Sequence, residues 1–358
     1  MVILNLLGKI EPLCISKKLK LYIANLPKGD FNNWNGGLVE EMEDTLKYSS
    51  IQTERFKKKF AHTKPLDIKQ VFQSRYPNIS TENMTELECI QHIADEMIYI
   101  YFDYDYDDMP VGDWTSNCFD SRCCERDYTE KIVNFIRFLC NEETHKKYPR
   151  IPDINLHCIY SGDDYGLPEN CHLIFSGTTY IEKTINGLVE LGALLDSFLS
   201  NEEDYYFFDY LCTELYEIDR KEFTPNHCQK LYSLCEFFLE KERDIELDEK
   251  LPQFISEFYS LDDRKKIATI ARQIRNKVSH GDFSKFREKI EEYAVEIMEK
   301  NNYWFDYSEY SRQNWVIMNL CYTLLVALRN MTGSILTDKQ NITSLKNKST
   351  GEFNRMLS

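Results

Sequence analysis

An arginine, an asparagine and a histidine share the six-residue stretch Arg275-Asn276-Lys277-Val278-Ser279-His280, and Gly281 follows directly. Each residue type suits phosphate chemistry. Histidine titrates near neutrality and can take up or release a proton there. A guanidinium offers a planar fork of donors to phosphoryl oxygens. An amide one helical turn from the histidine can orient it or hold a phosphate oxygen. The surrounding charge is concentrated as well. Residues 264–289 hold nine bases (Arg264, Lys265, Lys266, Arg272, Arg275, Lys277, Lys285, Arg287 and Lys289) against two acids, Asp282 and Glu288. That window is +7 in a chain of net charge −16. A protein so acidic repels nucleic acid as a whole, so a phosphodiester substrate requires a local basic patch of this kind. The same residues have a plainer use. A histidine before a helix-ending glycine can simply face the helix C-terminus, and a basic face can be only solvated.

The element that must position these residues is a helix over 262–280. Asp262 and Asp263 suit the positive end of the helix dipole, and Gly281 suits the stop. Ile267, Ile270, Ala271, Ile274 and Val278 form one apolar stripe at helical spacing. Arg272, Asn276 and His280 form a second stripe, expected on the solvent side, with Arg275 and Ser279 between the two. Arg275 and His280 are five residues apart, about 140° around an ideal helix. One site can use both only at a frayed helix end, or in a cleft that two protomers share.

The Arg275–His280 stretch resembles the signature of the HEPN superfamily, an arginine and a histidine a few residues apart near the end of one helix, commonly with a polar residue after the arginine. The gap here is four residues and the polar residue is Asn276. The apolar run 314–328 is similar to the final helix of the Apea-like branch. The resemblance spans residues 181–335. It implies a metal-independent endoribonuclease without a cofactor, working as a homodimer in which two motifs face one cleft. In that scheme His280 moves protons, Arg275 stabilises phosphoryl charge and Asn276 positions. Arg272, Lys277, Lys265, Lys266 and Lys285 would contact the RNA. The products would be a 2′,3′-cyclic phosphate and a 5′-OH. The resemblance also implies a role in phage defence or as a toxin. A catalytically silent helical dimer that binds RNA or a protein partner is the alternative it leaves open.

The rest of the chain frames this helix. Hydrophobic residues are 42% and aromatics 13% of 358 residues, enough to bury two domain cores. Residues 1–180 read as mixed. Helices are expected at 51–59, 87–97 and 128–140. From Ile98 to Tyr106 alternate residues (Ile98, Ile100, Phe102) face Tyr99, Tyr101, Asp103 and Asp105 across a period of two, the mark of a strand. Strands at 155–160 and 171–175 flank a turn-rich loop and read as a hairpin. Beyond about 180 the strands stop, and helices are expected at 181–199, 203–218, 225–242, 248–259, 262–280, 283–299 and 308–331. The sequence therefore predicts an α+β chain. It has a mixed N-terminal domain over 1–180 that senses a trigger or binds a regulatory partner, an all-α HEPN-like bundle over 181–335, and a polar tail over 336–358.

Other chemistries find less support. Asp103, Asp105, Asp107, Asp108 and Asp113 alternate as cation ligands can, but the sixth and twelfth loop positions are Asp108 and Trp114, not the glycine and glutamate that a calcium loop needs. Cys118, Cys123, Cys124 and Cys140, with His157-Cys158 and Cys171-His172, contain no Cys-x-x-Cys pair, so buried free thiols are expected before zinc. No particular pair among twelve cysteines and seven histidines marks a nucleophile. Gly36-Gly37 forms no phosphate loop. No secretory leader opens the sequence, and 315–328 is too short and too interrupted to span a membrane. A cytoplasmic protein with reduced thiols is the expectation.

Overall fold

The protein's structure, a computed structural model, describes residues 2–25, 68–102, 128–129, 131–139, 158–161, 178–219, 223–239, 244–301 and 309–338. The expected helix at 51–59, the strand at 171–175, the Asp103–Asp113 cluster and the group Cys118, Cys123, Cys124, Cys140, His157, Cys171 and His172 lie outside those residues. The fold is α+β, with an antiparallel sheet in the N-terminal part and helices in the C-terminal part. Contacts divide the chain into two compact units, Met1–Arg137 with Ile154–Asp196, and Phe138–Asp153 with Ser197–Ser358.

The first unit is built on strands β1 (Val2–Leu7), β2 (Leu13–Ser16), β3 (Leu21–Asn25), β4 (Met97–Phe102) and β5 (Cys158–Ser161). Their order is β2-β3-β4-β1-β5, antiparallel throughout. The strand read from Ile98 is β4, in the middle of the sheet, where Ile98 and Ile100 are buried and Ile100 lies opposite Ile23. Helices α1 (Ile68–Arg75) and α2 (Glu86–Ala94) precede β4. Thr85 opens α2 with a capping box. Its hydroxyl accepts from Glu88 N at 3.1 Å, while its own N–H donates to Glu88 Oε2 at 2.7 Å. Asn25 fixes the turn after β1 by accepting from Ile10 N and donating to the Gly8 carbonyl, each at 2.7 Å.

Helix α3 (Thr178–Phe198) belongs to this unit as far as Asp196. The composition shift at 180 marks where strands stop, and the compact unit runs on because α3 is docked on β2. Asp196 accepts from the Ser16 hydroxyl and from Lys17 N and Lys18 N at 2.9 and 3.0 Å. Gly192 makes the crossing possible, since a Cβ there would stand 1.7 Å from the Ile15 carbonyl oxygen. The oxygen belongs to backbone and a Cβ is held in place by its own backbone, so neither can give way alone. Gly192→Ala is expected to cost about 3 kcal/mol, the top of the usual range for overpacking. A urea unfolding midpoint equal to that of wild type would contradict this.

The second unit contains α4 (Glu202–Asp219), α5 (Pro225–Leu239), α6 (Asp244–Lys250), α7 (Leu261–His280), α8 (Phe283–Tyr293) and α9 (Glu309–Asp338). Helix α5 packs on both α7 and α9, and α7 packs on α6 and α8. The core holds Cys228, Leu231, Cys235 and Phe238 of α5, Ile267, Ile270 and Ile274 of α7, and Leu320, Cys321 and Leu324 of α9. The stretch Arg312–Leu336 of α9 is apolar and long enough to cross a membrane, but 78% of its most apolar part is buried inside the protein. It is a core helix, as its interruptions suggested.

Three expected elements differ in detail. The helix expected at 248–259 is α6, four residues earlier, followed by the single 3₁₀ turn Leu251–Gln253. Pro252 lacks an N–H and cannot continue an α-helix past that point. The helix expected at 283–299 is α-helical to Tyr293 and widens into a π-turn over Ala294–Glu299. The polar tail expected from 336 begins later, since α9 continues to Asp338.

Candidate functional site

Helix α7 positions the motif, and both of its ends are locally fixed. Ser260 caps the start by accepting from Asp263 N at 3.2 Å. The finish is a Schellman closure. Gly281 N donates to Val278 O at 3.2 Å and Asp282 N to Lys277 O at 3.0 Å, with Gly281 left-handed at φ +66°. The apolar stripe falls as the spacing requires, with Ile267, Ile270, Ala271 and Ile274 buried and Val278 half-buried. His280 therefore sits on the last turn of a well-anchored helix, exposed.

The start of α7 carries a titrating group. Lys300 donates to Asp263, and Ser260 adds a hydroxyl at 2.8 Å. Lys300 first and Ser260 second hold the Asp263 carboxyl below its ordinary value. A carboxylate depressed on folding adds stability above its unfolded value, near ~4, and that stability fades as pH falls through the folded value. Asp263→Asn is expected to lower the melting temperature at neutral pH, with the difference from wild type shrinking below about pH 4. A pH-independent difference would show that the charge is not the source.

The polar stripe differs from expectation. Arg272 does not point freely to solvent. Its Nε lies 3.1 Å from both oxygens of Asp248 on α6, and its Nη2 lies 2.9 Å from Oδ2. Thr269 donates to the same carboxylate at 3.3 Å. Arg275 is also held. Its Nη2 donates to both oxygens of Glu236 on α5, and its Nη1 donates to Asn276 Oδ1 at 2.8 Å. Its guanidinium carbon lies 5.8 Å from the centre of the Tyr232 ring. Asn276 is thus brought to Arg275, not to His280.

The remaining basic residues are mostly paired too. Lys266 meets Glu296, Lys289 meets Glu292, and Lys277 and Lys285 share Asp282 at 3.3 and 3.8 Å. Lys265 is exposed without an ion pair among the described residues. Four carboxylates from outside the 264–289 window (Glu236, Asp248, Glu292 and Glu296) thus bring its +7 down to +3. The basic patch is real but weaker than the linear count, because acids from outside the window offset it, two of them (Glu236 and Asp248) from earlier helices.

Glu236, Asp248 and Tyr232 are the parts of this site that sequence reading missed. Glu236 had one signal, since it is the single carboxylate in α5. Tyr232 sits one turn before it on the same helix and is fully buried, with its hydroxyl lacking a hydrogen-bond partner. Burial first, and then Asp248 and Glu236, push its ionisation far up, so it stays a neutral phenol. Among the described residues no His, Cys, Asp and Glu cluster fits a metal ion. The described cysteines Cys89, Cys212, Cys228, Cys235 and Cys321 are buried free thiols.

No family model, curated protein or solved structure matches the chain.

Proposed function

We propose that the second unit is a metal-independent endoribonuclease of the HEPN type. The observation that carries this reading is the end of α7, where exposed His280 stands on a closed helix terminus just past the bonded pair Arg275–Asn276. The RNA 2′-OH attacks the adjacent phosphorus and the P–O5′ bond breaks. One His280 takes the 2′-OH proton, and His280 of a second copy gives a proton to O5′. Arg275 stabilises the charge on the phosphoryl oxygens. The products are a 2′,3′-cyclic phosphate and a 5′-OH. Lys265, Lys266, Arg272, Lys277 and Lys285 supply the phosphate contacts, each by exchanging its present partner where it has one.

The protein works as a cytoplasmic homodimer in phage defence or as a toxin, and its first unit receives a trigger or a regulatory partner. The test is incubation of labelled RNA with the full chain in EDTA, with candidate triggers added. Cleavage by wild type and much slower cleavage by His280→Ala or Arg275→Ala is the expected result. One observation favours a second reading. Because Glu236 occupies Arg275, the chain could be a catalytically silent dimer that only binds RNA or a protein. Wild type that binds RNA but never cuts it establishes that reading instead.

A further inference from the structure

The contact between Glu236 and Arg275 goes beyond a structural pair. A guanidinium that is to hold a phosphoryl group must present its donors to that group. Here Nη2 is spent on both oxygens of Glu236, and Nη1 is spent on Asn276. A carboxylate carries the same charge sign and a similar spacing of acceptor oxygens as a phosphate edge, so Glu236 stands where a phosphate would. Its charge also repels a phosphate that approaches Arg275. As folded, the donors that Arg275 gives to Glu236 and Asn276 are not available to a phosphate.

A second observation supplies the place where Glu236 can go. Tyr232 lies one turn away on the same face of α5, packed beneath the Arg275 guanidinium, and its buried hydroxyl has no hydrogen-bond partner among the described residues. An unpaired buried hydroxyl is unfavourable and is nearly always satisfied in folded proteins. A carboxylate leaving Arg275 would find that donor without leaving α5. The polar group that is orphaned in one arrangement is satisfied in the other, as a two-state element needs.

We infer that Glu236 is an internal latch. In the resting arrangement it occupies Arg275, and an RNA phosphate displaces it toward the Tyr232 hydroxyl. This inference rests on the ribonuclease reading for its ligand, but it concerns binding and is tested without cleavage. The latch makes opposite predictions for its two residues. Glu236→Gln removes the competing charge and frees Arg275. Tyr232→Phe removes the acceptor's alternative partner and keeps the latch shut.

The test uses the full chain carrying His280→Ala, which prevents turnover. Binding of a fluorescent single-stranded RNA is followed by anisotropy over a series of salt concentrations. Glu236→Gln should tighten binding by about tenfold while the slope of log K against log salt changes by less than about 0.7, the worth of one single-strand phosphate contact, because Arg275 meets a phosphate in the bound state of both proteins. Tyr232→Phe should weaken binding several-fold while the melting temperature stays equal or rises, because a purely structural tyrosine with an unpaired hydroxyl loses nothing by that change. If the glutamine variant does not fold, Glu236→Asp, which retracts the carboxylate by one methylene, carries the same direction of change.

Weaker binding on releasing Glu236, or a salt slope steeper by a full phosphate contact, overturns the latch. So does Tyr232→Phe behaving as its parent, or no RNA binding by any variant. A wild type that never cuts RNA defeats the ribonuclease reading alone, because the salt series still decides the latch.

Discussion

His280→Ala is expected to slow RNA cleavage by about 10²–10⁴-fold, the usual worth of a positioned general acid–base, while leaving thermal stability unchanged. The separation of the two effects follows from where the side chain lies. His280 is exposed at the end of α7 and makes no hydrogen bond or ion pair among the described residues. The helix end it occupies is closed by backbone bonds to Gly281 and Asp282, which alanine leaves intact. Surface changes of this kind move stability by only ~0.5 kcal/mol or less. Loss of cleavage together with a large fall in melting temperature would mean that His280 supports the fold. Retained cleavage would remove it from the chemistry.

Arg275→Ala should behave in the opposite way on stability. It is expected to destabilise the protein by about 1–3 kcal/mol, because the part-buried charge of Glu236 exchanges a guanidinium for the weaker Tyr232 hydroxyl. The Glu236 side chain is only 12% exposed, so water replaces the lost partner incompletely. Cleavage should be lost as well, which by itself would not separate catalysis from unfolding. The double substitution Arg275→Met with Glu236→Leu separates them. Removing both charges and filling the space restores most of the stability, but supplies no guanidinium for the phosphate. Chemical unfolding of the single and double variants, beside their cleavage rates, checks both parts. A single variant as stable as wild type would show that the pair contributes little. A double variant that cuts RNA would show that Arg275 has no part in the chemistry.

Local patterns carried much of the fold. The stripe Ile267, Ile270, Ala271, Ile274 and Val278 defined α7, and Gly281 marked its end, because a left-handed residue there favours glycine. The alternation at Ile98 and Ile100 identified a strand, but its central place in the sheet comes from pairing with β1 and β3, which no local pattern shows. Features made by residues distant in sequence were not legible. The docking of α3 on β2 depends on Gly192 meeting the Ile15 carbonyl and on Asp196 meeting Ser16, across about 180 residues of chain. The helix expected at 248–259 ends at Lys250, because Pro252 in the next turn has no N–H to continue it. At the site, the exposure of His280 was legible from its place beside Gly281. The engagement of Arg272 and Arg275 was not, because Asp248 and Glu236 lie 24 and 39 residues away and only the packing of α5, α6 and α7 brings them in.

The central claim is that residues at the end of α7 cut RNA through its own 2′-OH. Its most direct test is the mass of the fragments that the full chain releases from a short RNA in EDTA, beside the same RNA carrying a single 2′-deoxy substitution at the cut site. The account predicts an upstream fragment ending in a 2′,3′-cyclic phosphate, a downstream fragment beginning with a 5′-OH, and no cut at the deoxy position. Fragments carrying a 5′-phosphate, cleavage abolished by EDTA, or cleavage at the deoxy position would contradict it.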